Sequence, residues 1–219
     1  MEKNTKEKII ITSKKLFNTN GFGATTLYQI AQELGISRGN LTYYFKTKED
    51  LLSVITEEMA SRYKAEMAAT QFPSWENTNN ATKAFHELQR VYAFIFRDKQ
   101  VMDFPEVKQQ IKQIYEDDLK RQMAMISFSI QVGNMRAEMI PGTYHNLCRT
   151  LWMNAFFWLI SDVYQDTREE SGWDKVAWSL ILPHFTEKGL VAFKKHFGLS
   201  YFQSLGKGYE VYAERVVGF

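Results

Sequence analysis

The sequence predicts an all-α fold: an N-terminal helix-turn-helix module of three short helices, a connecting helix, and a larger C-terminal helical body. Three observations lead there. Apolar residues recur at three- and four-residue spacing in most segments, and nowhere alternate with period two for long enough to demand a sheet. Gly21 and Gly35 punctuate the front of the chain where short helices would have to stop. The stretch QFPSWENTNN, residues 71–80, is polar and contains Pro73, which suits a linker or elbow between modules.

Ile9, Ile10, Ser13, Leu16 and Phe17 place a first helix over about 5–20, ended by Gly21. Thr26, with Gln29 three residues on, reads as a capping box for a second helix through Ile30, Ala31 and Leu34, ended by Gly35. Ser37 can cap a third helix from about Arg38 to Phe45, and Thr47 a fourth carrying Leu51, Leu52, Ile55 and Met59 toward residue 70. This divides the chain into a module at 1–48, a connecting helix at about 48–70, and a body at 71–219. Within the body, helices are expected at about 81–98, 105–132, 143–165 and 173–197, the last broken or kinked at Pro183. The tail from 198 has three glycines and scattered aromatics and is expected to be partly helical.

Composition narrows the function classes. With 45% apolar and 24% charged residues the chain can bury a core. Its first fifteen residues lack the apolar run of a secretory signal, and its most apolar stretch, 151–160, is half the length of a membrane span. A single cysteine, Cys148, excludes an internal disulfide, so a cytoplasmic protein is expected. The net charge of +2 is unevenly placed: residues 1–48 hold eight Lys and Arg against three acids, leaving the remainder slightly acidic. A basic front points to an anionic partner for that part alone.

The motif that carries chemistry lies at 31–52, AQELGISRGNLTYYFKTKEDLL. Two short helices joined through Leu34, Gly35, Ile36 and Ser37 form a helix-turn-helix if Ile30, Ala31, Leu34, Ile36 and Leu41 supply its inner contacts. Arg38, Gly39, Asn40, Thr42, Tyr43 and Tyr44 then fall on the outer surface and helix start, where base edges of DNA can be met. Arg38 suits guanine O6 and N7, Asn40 suits adenine N6 and N7, and Thr42 offers a methyl to thymine. Tyr43, Tyr44, Thr26, Lys46 and Lys48 suit phosphates, Ser37 caps the reading helix, and Gly39 lets its start come close.

From Ile9 to Leu52, the segments LFNTNGF, ATTLYQIAQELGIS and GNLTYYFKTKEDLL resemble the DNA-binding domain of the TetR family of bacterial transcription regulators. The resemblance implies a homodimer, a three-helix head on a palindromic operator in double-stranded DNA, and a C-terminal domain that dimerises and binds a small molecule. It assigns DNA contacts to Thr26, Arg38, Asn40, Tyr43, Tyr44 and Lys48. One departure is Thr42, where the family commonly has tyrosine. For an apolar or aromatic ligand, the candidates are Tyr92, Phe96, Tyr115, Met123, Phe128, Trp152 and Phe156. For the pairing of the last two long helices, they are Trp152, Phe156, Ile160, Trp178, Leu182 and Phe185.

No nucleophile elbow, phosphate-binding loop or zinc-protease motif is present, and no cofactor is expected. His145 with Cys148, and His184 with Glu187, each give two potential metal ligands, too few for a closed site. The reading is therefore a ligand-released, sequence-specific DNA-binding repressor. The alternative is a helical dimeric sensor of small molecules or proteins whose head reads no specific site.

Overall fold

A computed structural model describes residues 2–69, 74–161 and 173–205. The order is α1 (Glu2–Asn20), α2 (Leu27–Glu33), α3 (Arg38–Tyr44), α4 (Lys48–Ala68), α5 (Trp75–Val91), α6 (Ala93–Arg97), α7 (Lys99–Met102), α8 (Pro105–Gln131), α9 (Thr143–Ser161), α10 (Trp173–Ile181), a 3-10 turn (Leu182–His184), α11 (Glu187–Phe197) and α12 (Leu199–Ser204). Among the described residues the one β contact is an isolated antiparallel bridge between Met135 and Phe185. The expected linker residues 71–73, helix residues 162–165 and tail residues 206–219 lie outside the described residues. The chain forms two compact units, one of residues 1–69 and 83–115, the other of 70–82 and 116–219.

In the first unit, helix boundaries follow from local chemistry. Gln29 N–H donates to Thr26 Oγ1 at 3.2 Å while Gln29 Oε1 accepts from Thr26 N–H at 2.7 Å, so α2 begins with both orphan amides met. Thr47 and Asp50 repeat the exchange at the start of α4, at 3.1 and 2.9 Å. Ile9, Phe17, Ile30, Leu41, Leu51 and Ile55 are fully buried. Phe17 meets Phe22 and Phe94, each at 5.1 Å between ring centroids.

Two differences from the expected elements stand out. The helix expected over 81–98 begins at Trp75, inside the polar stretch read as a linker, because Ser74 caps it: its Oγ accepts from Asn77 N–H at 3.1 Å. The same helix breaks at Tyr92, where φ is −113° and ψ 35°. The break is supported from α1, since the Asn18 amide donates to Val91 O at 3.0 Å and accepts from Phe94 N–H at 2.9 Å. Buried Tyr92 completes the corner by donating its hydroxyl to Glu58 at 2.7 Å, and Lys14 pairs with the same carboxylate at 2.6 Å. Burial first, then the Glu58 hydrogen bond, raises the Tyr92 phenol well above its ordinary value.

The second unit packs around Phe193, which is fully buried among Trp75, Trp178, Phe185 and Phe197. The break expected at Pro183 is present: α10 passes into the 3-10 turn, and Thr186 restarts the helix by accepting from Gly189 N–H at 3.1 Å. Gly189 is there for space. A Cβ at that position would overlap the Asn134 carbonyl oxygen and lie 2.9 Å from its carbon.

Candidate nucleic-acid interface and cavity

In the first unit, α2 and α3 meet through a turn that needs Gly35, whose φ of 64° is left-handed. That geometry lets Gly35 N–H reach Gln32 O at 3.1 Å and Ile36 N–H reach Ala31 O at 3.0 Å. Ser37 Oγ then accepts from Asn40 N–H at 3.1 Å and fixes where α3 starts. Leu41 and Phe45 occupy the buried face, so Arg38, Gly39 and Asn40 form an exposed first turn. Tyr43 projects furthest, 74% exposed, with its ring edge-on to half-buried Tyr44 at 5.2 Å. Thr42 is half-buried and its hydroxyl donates back to Gly39 O at 3.1 Å.

Three further residues frame this surface. Thr26 is exposed at the start of α2, its hydroxyl held by the capping box, and Lys46 is exposed just beyond α3. Lys48 is more committed. Its ammonium donates to Phe22 O at 2.8 Å and Gly23 O at 3.4 Å and lies 4.7 Å from the Phe22 ring centroid. It therefore pins the start of α4 to the α1–α2 loop, with one N–H left for an outside acceptor.

The second unit contains a cavity of about 60 Å³. Its walls are Trp75, Thr78, Asn79 and Thr82 of α5, Arg121, Gln122, Met125, Ile126 and Ser129 of α8, Leu151 of α9, and Met135, Ala177, Trp178, Ile181 and Phe185. Trp178 Nε1–H donates to Asn79 Oδ1 at 3.1 Å, bracing α10 on α5. Behind the α8 wall, buried Asp118 accepts from Arg121 Nη2–H through one oxygen and from Gln122 Nε2–H at 2.5 Å through the other.

Residues 9–55 match the family model described as bacterial regulatory proteins, tetR family, and residues 56–193 match one described as bacterial transcriptional repressor. The chain belongs to the TetR family. Over 47 residues it is 55% identical to the uncharacterized HTH-type transcriptional regulator YerO of Bacillus subtilis (strain 168), covering 22% of this chain and 16% of YerO. Over 68 residues it is 40% identical to the HTH-type transcriptional regulator QacR of Staphylococcus aureus, covering 31% of this chain and 36% of QacR. The chain thus spans little more than a third of the length of these curated relatives, or less. In fold it is similar to a TetR-family transcriptional regulator from Marinobacter aquaeolei VT8, with a TM-score of 0.75, 20% identity, and coverage of 88% of this chain and 98% of that one.

Within this TetR-family chain, none of the seven aromatic and methionine candidates for a ligand site lines the cavity. Tyr92 and Phe96 are buried in the first unit, Phe96 against Phe85, and Tyr115 belongs to the same unit. In the second unit, Met123 Sδ lies 3.7 Å from Cys148 Sγ, Trp152 packs on Phe156, and Phe128 is exposed. Of the six residues expected at a subunit interface, Phe156, Trp178, Leu182 and Phe185 are buried within the chain, and Trp152 and Ile160 are half-buried. Trp178 and Phe185 are cavity walls. The large apolar side chains exposed on these helices are Met153 and Phe157 of α9 and Leu180 of α10.

Sequence reasoning missed Asp118, Arg121 and Gln122, although Thr78, Asn79 and Thr82 of α5 and Gln122, Met125 and Ser129 of α8 recur at helical spacing. His145 is exposed while Cys148 is buried, so those two do not converge, and among the described residues no group of three or more His, Cys, Asp or Glu could hold a metal ion. Burial is the main reason the Cys148 thiol is pushed up to about 12. Among the described residues, no helix is long and apolar enough to cross a membrane.

Proposed function

We propose that this TetR-family protein is a sequence-specific DNA-binding transcriptional repressor that acts as a cytoplasmic homodimer and leaves a palindromic operator when a small apolar or aromatic molecule enters the body. The observation that carries this reading is the first turn of α3. Arg38, Gly39 and Asn40 stand exposed on a helix start fixed by Ser37, over a face anchored by fully buried Leu41. Such a turn can enter a major groove.

In this reading, residues 1–48 are the head, α4 connects it, and the body follows. Arg38 and Asn40 read guanine and adenine edges, and Thr42 supplies at most a methyl contact because its hydroxyl is turned back to Gly39. Tyr43, Tyr44, Thr26, Lys46 and the remaining N–H of Lys48 hold phosphates. Two copies pair through exposed Met153, Phe157 and Leu180, with Trp152 and Ile160 at the edge of the contact. Two-fold symmetry then places the heads about 34–36 Å apart, one turn of DNA.

Selection of bound duplexes from a random pool by the purified protein tests this reading. An inverted repeat whose enrichment disappears in the Arg38→Ala/Asn40→Ala variant is the expected result. Enrichment that survives the double change, or none at all with the unaltered protein, overturns it.

A further inference from the structure

The cavity walls carry two polar atoms that the fold buries and leaves unmatched. Arg121 Nε–H, a donor, and Gln122 Oε1, an acceptor, are both buried and meet no hydrogen-bond partner among the described residues. Buried polar groups are ordinarily paired, so two orphans on adjacent residues of one cavity wall are unusual. Their orientation is not arbitrary. Asp118 accepts from the other end of each side chain, and because a carboxylate only accepts, it forces the Gln122 amide to turn its NH₂ inward and its oxygen outward.

The charges settle what kind of molecule would fit. Arg121 is the one charged residue among those lining the cavity, and its charge is already balanced by Asp118. A charged ligand would lose its hydration and find no uncompensated opposite charge in return. The remaining walls are aromatic and aliphatic, with Trp75, Trp178, Phe185, Ile126 and Leu151 prominent. A volume of about 60 Å³ sets the scale at a single ring.

From this we infer that the cavity takes a small, planar, uncharged ring bearing an amide-like edge, with an acceptor placed on Arg121 Nε and a donor on Gln122 Oε1. The inference rests on the reading that the body binds a small molecule, and it names that molecule's chemical class. Asp118 then acts as a positioning residue, holding both reading atoms without touching the ligand.

The test compares four single-ring probes of nearly equal size on the purified full-length protein: benzamide, benzoate, benzylammonium and toluene. Binding is read by calorimetry and by the fluorescence of Trp75 and Trp178, without DNA. Benzamide is expected to bind about tenfold or more tightly than each of the other three, the margin of roughly one net hydrogen bond. Gln122→Met, which keeps the volume and removes the acceptor, is expected to abolish the advantage of benzamide over toluene. The ranking among probes needs no variant, so a misfolded Gln122→Met leaves a complete test. Preference for benzoate, benzylammonium or toluene overturns the amide-edge assignment while leaving the cavity as a ligand site. Failure of all four to bind at millimolar concentration overturns the ligand-site reading with it.

Discussion

Asn18 offers a sharp test of how the first unit is held together. Its amide makes two backbone hydrogen bonds to the α5–α6 corner, at 3.0 Å to Val91 O and 2.9 Å from Phe94 N–H. Replacing it with alanine removes both, for about 1–3 kcal/mol in total, and leaves two partly buried backbone groups unmet, which raises the cost further. Alanine is the better helix former and returns about 0.5 kcal/mol. The net expectation is a loss of about 2–3 kcal/mol, measured as a lower urea midpoint at unchanged slope. Hydrogen exchange at the Phe94 amide should accelerate in parallel, because its acceptor is gone. Asn18→Asp is the control: it keeps the acceptor for Phe94 but sets a carboxylate against the Val91 carbonyl, so it should be no better tolerated than alanine. Loss below 0.5 kcal/mol in Asn18→Ala, or full stability in Asn18→Asp, would refute the argument.

Other expectations follow from the same physical reasoning. Gly189→Ala drives a Cβ into the Asn134 backbone, and overpacking of about 1–3 kcal/mol against a helix-propensity gain of about 0.5–1 should lower the thermal midpoint by several degrees. Met153→Glu/Phe157→Glu puts charge on the exposed α9 face and should weaken dimerisation at least about tenfold in sedimentation, with circular dichroism unchanged. Stability should fall at alkaline pH: burial raises Tyr92, Tyr144, Tyr201 and Cys148, so the folded chain keeps protons that the unfolded chain releases. That contribution is complete below the ordinary thiol value of 9.0 and declines above it, as denaturant midpoints from pH 8 to 11 would reveal.

Much of the head was legible because its signals are local. Thr26 and Gln29 are three residues apart, Gly35 declares its own turn, and Ser37 names the start of α3. The α5–α6 break was not legible, because its cause, Asn18, lies 73 residues from Val91 in sequence. The start of α5 was misread as linker since a capping serine followed by polar residues has the composition of a loop. The cavity was sought among large aromatics, yet aromatic periodicity in the second unit mostly marks core, as Phe193 and Phe197 do. Its polar wall depends on which rotamers Asp118 holds. Nor could hydropathy separate Trp178, turned inward, from Phe157, turned outward.

The depth of Cys148 has a practical consequence. As the chain's one thiol, buried and reluctant to ionise, it leaves the protein with no competing site for maleimide chemistry. A cysteine placed on α1 at exposed Glu7 would carry the only spin label on each copy. In an assembly of two, the pair of labels becomes a ruler between heads, readable by pulsed resonance with and without benzamide, on DNA and off it.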